Sequence, residues 1–452
     1  MRLFAADALL PEGWAREVTV DIDGDGIITA VTRSAAADDA ERVPGALMPG
    51  MPNVHSHAFQ RALAGRTGVR SRTGDSFWTW RQAMYGFLDH VDADAFEAVT
   101  AQCYVEMLKS GYTSVAEFHY VHNDPAGHPY ADPAELAHRV VAAAAQTGIG
   151  LTLLPVFYAH SGFGGAAPTT GQRRFLSTID SFARLVDALR PEAAARGFAL
   201  GVAPHSLRAV TPAELAAVVA MARPGWPIHI HAAEQLREVA DSIAWSGARP
   251  VQWLLDHAAV DARWCVVHAT HLLAAETRGL AAAGAVAGLA STTEADLGDG
   301  TFAARAWVDA GGAFGVGTDS NTNIDPFAEL RQLEWSQRLA HGARNVLGAD
   351  AAPVGQWLYA SAAKGGARAL ARPCGGIVAG ARADLVVLNV DDAAFAGLPA
   401  DALVDAAVFG PCRQPVRDVM VSGRWVVRDG RHPRETETLS RYRREMLRLN
   451  AA

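Results

Sequence analysis

The chain has 452 residues, half of them apolar, and a formal net charge of −8. That length supports a large buried core, as two or three domains or as one large α/β barrel with an accessory domain. The acidic balance and the lack of any lysine-rich tract argue against nucleic acid or an anionic membrane as the main partner. Four scattered cysteines, Cys103, Cys265, Cys374 and Cys412, form no CxxC pair. Neither a disulfide framework nor a thiolate metal site is expected, and the reducing cytosol is the expected compartment. Acidic residues come too early in the N-terminal stretch for a secretory signal.

The first residues read as short strands: "EVTVDIDGDGIITAVTR" alternates and turns at Asp23–Gly26. From residue 48 the pattern changes. Eight apolar runs alternate with amphipathic helical stretches: "GALMPGMPNV", "YTSVAEF", "GLTLLPVFY", "FALGVAPH", "WPIHIHAAE", "RWCVVHAT", "AVAGLAS" and "GAFGVGTDS". Eight βα units predict a (β/α)8 barrel of the TIM type. An open doubly wound sheet is disfavoured, because no glycine fingerprint follows the first strand. The uncharged run Val140–His160 has membrane length, but "QTG" divides it, so it reads as helix, turn and strand. "GGIVAGARADLVVLNVDD" and "VRDVMVSGRWVVRDGRH" read as two further strand pairs. The expected division is 1–47 and 373–452 as one small β-sandwich domain built from both termini, with a terminal helix, and 48–372 as the barrel.

Residues i and i+2 of a strand share a face, so His55 and His57 of "PNVHSHAFQ" project together at the end of the first barrel strand. Two neutral imidazoles side by side suit zinc or iron. Sixteen histidines give roughly half an H-x-H per chain by chance, so the pair alone is weak evidence. Position strengthens it. His231 and Glu234 end the fifth strand, His268 the sixth and Asp319 the eighth. All fall where a barrel strand meets its loop, the face that carries active sites in this fold. His229 reads as a hydrogen-bonded core residue. His119, His122, His160 and His271 lie near the mouth without a partner pattern.

These motifs, with "HIHAAE", "CVVHAT" and "GVGTDSN", resemble the amidohydrolase superfamily in its deaminase branch, over nearly the whole chain. The resemblance implies that His55, His57, His231 and Asp319 hold one divalent ion, zinc expected and iron the alternative. It implies that His268 hydrogen-bonds an attacking water and that Glu234 shuttles the proton. Two-metal relatives bridge their ions with a carboxylated lysine at a strand end. Lys109 and Lys364 both read as helical, so a single ion is expected. Asp319 would accept the water proton, and a C–N bond at an amidine-like carbon would be hydrolysed with release of ammonia; the metal ligands alone leave a halide leaving group open.

Loops must choose the substrate. The stretch after the first strand carries Arg61, Arg66, Arg70, Arg72 and Arg81 against one acid, Asp75, and reads as a cationic lid for an anionic substrate. After the fourth strand, His205 and Arg208 also face the mouth. Within the branch, "HSHAFQRALAGR", "FWTWRQAMYGF", "EFHYVHND" and "APHSLRAV" are similar to the N-formimino-L-glutamate deiminase family. That likeness implies substrate contacts from Gln60, Arg81, Tyr120, His205 and Arg208. It also implies a homodimer, with Arg81 acting in its own or the partner's site. The alternative is an aminohydrolase of a heterocycle or nucleoside, which calls for an aromatic-lined rather than an arginine-lined pocket. A metal-binding barrel without turnover is the third reading. Glu234 and Asp319 count against it, because a structural metal needs neither a shuttle nor an open position. The glycine-rich "SGFGGAAPTTGQRR" loop and the segment from Arg61 to Ser76 read as able to close over substrate.

Overall fold

The chain begins as a meander. Strand β1 (Arg2–Leu10) pairs antiparallel with β2 (Gly13–Ile22), which turns into β3 (Ile28–Thr32). The turn falls where the sequence places it, because the Asp23 carboxylate accepts the Asp25 and Ile27 N–H groups. Two short pieces follow, β4 (Glu41–Arg42) and β5 (Leu47–Pro49). The computed structural model describes residues 1–37, 39–68, 70, 75–349 and 351–451.

The run "GALMPGMPNV" does not form the single strand the sequence suggests. Its first part, β5, joins the terminal sheet, and its second part, β6 (Met51–Ser56), opens the barrel. Gly50 makes the change of sheet, since a Cβ there would lie 2.2 Å from the Thr113 side chain. The barrel continues with β7 (Tyr112–His119), β8 (Gly150–Phe157), the interrupted pair β9 (Ala199–Leu200) and β10 (Ala203–Pro204), β11 (Ile228–Ala232), β12 (Trp264–His268), β13 (Val286–Leu289) and β14 (Ala313–Val316). Their pairings are parallel. Helices lie between successive strands, such as Ala93–Ser110, Glu135–Thr147 and Ile179–Arg196. Val140–His160 thus divides into helix and strand, and among the described residues no helix is long and apolar enough to cross a membrane.

Two arcs make the barrel, β6 to β10 and β11 to β14. Isolated parallel bridges join them, Val202 to Ile228 and Ser206 to His231 on one side and Ser56 to Asp319 on the other. The second seam lies beside the histidine pair. There Gly317 approaches so closely that a Cβ would sit 2.7 Å from the His55 backbone N and O.

The chain returns to the first sheet through β15 (Leu385–Leu388), β16 (Val416–Val421) and β17 (Arg424–Val427). The spatial order is β17-β16-β15-β5-β1-β2-β3, with β4 beside β1. The segment before β15 bonds to the start of β3: Ala383 N–H donates to Gly26 O and Ile28 N–H to Ala381 O. The sheet encloses a separate core that includes Leu3, Val18, Leu385 and Met420. Of the strand pair expected in "GGIVAGARADLVVLNVDD", only β15 forms. Gly375 and Gly380 take φ of 79° and 87° and turn the chain, and Arg382 makes a lone bridge to Ile27. The terminal helix Glu435–Ala451 packs against the barrel helix Ala93–Ser110, with Lys109–Glu435 at 2.6 Å and Arg441–Glu97 at 2.7 Å.

Candidate metal centre and active-site cleft

The ends of β6, β11 and β14 bring His55, His57, His231 and Asp319 together. One donor atom from each lies within 4.8 Å of all the others, and all four residues are buried. His55 Nε2 is 3.1 Å from His57 Nε2 and 3.0 Å from His231 Nε2, and Asp319 Oδ1 is 3.4 Å and 3.2 Å from the first two. His57 Nδ1 donates to Phe118 O and His231 Nδ1 to His205 O, each at 3.0 Å. That fixes the tautomer, so both Nε2 lone pairs face the centre. Burial and the neighbouring His57 push His55 down to about 3, and burial pushes His231 well below its usual range. Burial works to raise Asp319, but the adjacent His55 and His57 rings outweigh it and hold the carboxyl well below its usual range. Three imidazoles and one carboxylate with converging donor atoms fit a divalent ion.

A polar network holds the β14–β6 seam at this spot. Asn53 Nδ2 donates to Thr318 Oγ1 at 2.8 Å, and Thr318 donates onward to Asn321 Oδ1 at 2.6 Å. Asn321 Nδ2 donates to His57 O and Asp319 O. His268, Asp319 and Asn321 have φ of 67°, 44° and 56°, and Ala233 has 54°. Left-handed backbone at non-glycine residues costs of order 1 kcal/mol each, and here it gathers at the mouth, held by the buried network.

His268 comes next. Its Nε2 lies 3.9 Å from both Glu234 Oε1 and Asp319 Oδ2, and its Nδ1 lies 3.3 Å from Glu294 Oε1. Burial would lower its pKa, but Glu234, Glu294 and Asp319 outweigh that and raise it to about 10. Burial raises Glu234. Arg208 Nη2 is 3.3 Å from Glu234 Oε2, while Arg208 Nε and Nη1 are buried without a hydrogen-bond partner among the described residues.

These groups floor a cleft at the mouth of the barrel. All five residues expected to touch substrate line it: Gln60, Arg81, Tyr120, His205 and Arg208. Gln60 Nε2 donates to Tyr120 Oη at 2.7 Å, and burial pushes His205 well below its usual range, so it is a neutral imidazole. Arg81 faces the cleft of its own chain and stacks over Trp78, with 4.5 Å from the guanidinium carbon to the ring centre.

The cationic lid is smaller than the sequence suggests. Arg61 pairs with Glu106 at 2.6 Å and Arg66 lies over Phe87, both turned away; Arg72 lies outside the described residues. The contrast between arginine and aromatic lining also fails, because the cleft has both. Phe77, Trp80, Tyr85, Tyr158 and Phe175 join the arginines. Sequence reasoning missed these rings because they come from the helix Phe77–Leu88 and from loops that lack strand periodicity. The glycine-rich loop is tied at its end, where buried Arg174 donates to Val91 O at 2.8 Å and to Asn123 O at 3.1 Å. Four of the five bystander histidines have structural partners, while buried His119 Nε2 has no hydrogen-bond partner among the described residues. His229 donates to Ala369 O, His122 to Val156 O and His271 to Asp299 O, and His160 pairs with Glu214.

Comparison with known proteins agrees with this geometry. Residues 46–426 match the amidohydrolase family, and residues 2–45 match the N-terminal domain of formimidoylglutamate deiminase HutF. The formimidoylglutamate deiminase of Pseudomonas aeruginosa is 52% identical over 434 residues, 96% of each chain. A crystal structure of an amidohydrolase from Brucella melitensis superposes with a TM-score of 0.95 at 48% identity, covering 99% of each chain. An adenosine deaminase from Xanthomonas campestris with bound zinc shares the fold, with a TM-score of 0.84 at 23% identity over 100% of this chain and 98% of that one. The chain belongs to the amidohydrolase family.

Proposed function

We propose that this hydrolase converts N-formimino-L-glutamate and water to N-formyl-L-glutamate and ammonia, a step of histidine degradation. The observation that carries the reading is the cleft itself. Two guanidinium groups, Arg81 and Arg208, face the same space as the cradle, and Arg81 Nε and Arg208 Nε and Nη1 are buried without partners among the described residues. Unpaired buried donors demand an anionic guest, and a dicarboxylate supplies two. Formimidoylglutamate deiminase activity in the 52%-identical relative points the same way.

His55, His57, His231 and Asp319 would hold one zinc ion. A divalent ion there supplies Lewis acidity, making a water nucleophilic near neutral pH. The chain's own residues do the rest. Arg208 and Arg81 hold the carboxylates, and Gln60, Tyr120 and His205 orient the formimino group. His268 hydrogen-bonds the attacking oxygen. As the C–O bond forms, Asp319 accepts the water proton. Glu234 gives a proton to the imino nitrogen; the proton held by Asp319 then passes to the resulting amine and the hydroxyl proton to Glu234 as the C–N bond breaks and ammonia leaves. General acid–base help of this kind contributes about 10²–10⁴-fold. The same reading takes 48–372 as the catalytic unit, the cytoplasm as the compartment and a homodimer as the assembly.

The aromatic wall favours a second reading, an aminohydrolase of a flat heterocycle. An ammonia-release assay separates the two, using formimino-glutamate, formimino-aspartate and guanine on metal-assayed protein. Turnover of formimino-glutamate well above the others is expected. Efficient turnover of guanine with none of formimino-glutamate would overturn the substrate assignment.

A further inference from the structure

Glu238 takes no part in the mechanism above, yet it is fully buried beside it. It sits in the first turn of the helix Leu236–Ser246, just after the β11 loop. Its two oxygens accept the backbone N–H groups of Ala233 and Glu234, each at 3.1 Å. These bonds brace the turn in which Ala233 has φ 54°. The same carboxylate lies 4.0 Å from Arg208 Nη2, which also donates to Glu234 Oε2 at 3.3 Å. One arginine nitrogen is thus shared between two carboxylates, and its remaining N–H groups are left for the cleft.

We propose that Glu238 is a positioning residue that limits the Arg208–Glu234 contact to one long hydrogen bond, so that one group holds substrate while the other moves a proton. This rests on the deiminase reading. The physical argument is a balance of charges. A buried guanidinium with a single carboxylate in reach pairs with it, because a charge left unpaired in a dry site is costly. Such a pair would occupy Glu234. A second buried carboxylate, pinned by two N–H donors so that it cannot approach further, divides the attraction. It also offsets part of the positive charge of Arg208, so that a substrate carboxylate is bound but not trapped.

The account predicts opposite effects on binding and on turnover. In Glu238→Gln the charge is removed and the shape kept. Arg208 then presents more positive charge to an incoming anion while holding Glu234 more firmly. In the metal-loaded full-length protein, glutarate, an unreactive diacid, binds at least about threefold tighter by calorimetry, and kcat on formimino-glutamate falls at least about tenfold. Glu238→Asp keeps the charge at a slightly greater distance. It returns glutarate affinity to the wild-type value and recovers only part of kcat. A merely structural role would lower activity and thermal stability together and would not tighten glutarate binding. Unchanged or weakened glutarate binding in Glu238→Gln, or a kcat within twofold of wild type, would overturn the proposal. Wild-type turnover in the same series tests the underlying reading separately. If wild-type enzyme leaves formimino-glutamate untouched, that reading fails, while the glutarate comparison still reports on Glu238.

Discussion

The cradle and the wall of the cleft are built in different ways. The cradle residues sit at strand ends, within or just beyond β6, β11 and β14, fixed by ladder bonds and by the Asn53–Thr318–Asn321 network. The wall comes largely from the helix Phe77–Leu88 and the loops after β7, β8 and β10, held by ring contacts and by single anchors such as Arg174. A strand end fixes a side chain within tenths of an ångström, whereas a loop can be exchanged without disturbing the barrel. The difference teaches where reaction and selectivity reside. On the proposed reading, the chemistry belongs to the rigid part, and the choice of substrate belongs to the replaceable part.

Four substitutions sharpen or break that contrast. Glu234→Gln, on the rigid side, is expected to lower kcat by roughly 10³-fold with metal content unchanged, measured by ammonia release and metal analysis. Gly317→Ala forces a Cβ to 2.7 Å from the His55 backbone. It should cost about 3 kcal/mol of stability by denaturant unfolding and reduce metal retention, because the strand cannot yield. Arg208→Ala, on the wall, should lower kcat/KM by about 100-fold, chiefly through KM, while metal content stays close to wild type. Tyr158→Phe removes the oxygen that accepts from Gln172 Nε2 at 2.7 Å. It should raise KM only about threefold, the scale of one hydrogen bond. If wall substitutions emptied the metal site, or if Gly317→Ala left it intact, the division of labour would be wrong.

The same contrast governs what the sequence discloses. The cradle is legible because strand period and barrel topology are short-range rules: an H-x-H at one strand end and His231, His268 and Asp319 at three others point to one mouth. The double use of "GALMPGMPNV" was hidden, since both sheets want the same apolar pattern and only the Gly50–Thr113 contact separates them. Arg61 and Arg81 look alike in sequence, yet one pairs with Glu106 and the other faces the cleft, a choice made by long-range packing. The supporting carboxylates Glu238 and Glu294 carried no motif. Their meaning lies in which N–H groups and imidazole they reach.

The most direct test of the account is a metal count on purified protein, run in parallel with turnover on wild type and His55→Ala. The account predicts one divalent ion per wild-type chain, with ammonia release proportional to occupancy, and loss of both in His55→Ala. Two ions per chain, or full occupancy and turnover without the His55 imidazole, would contradict it.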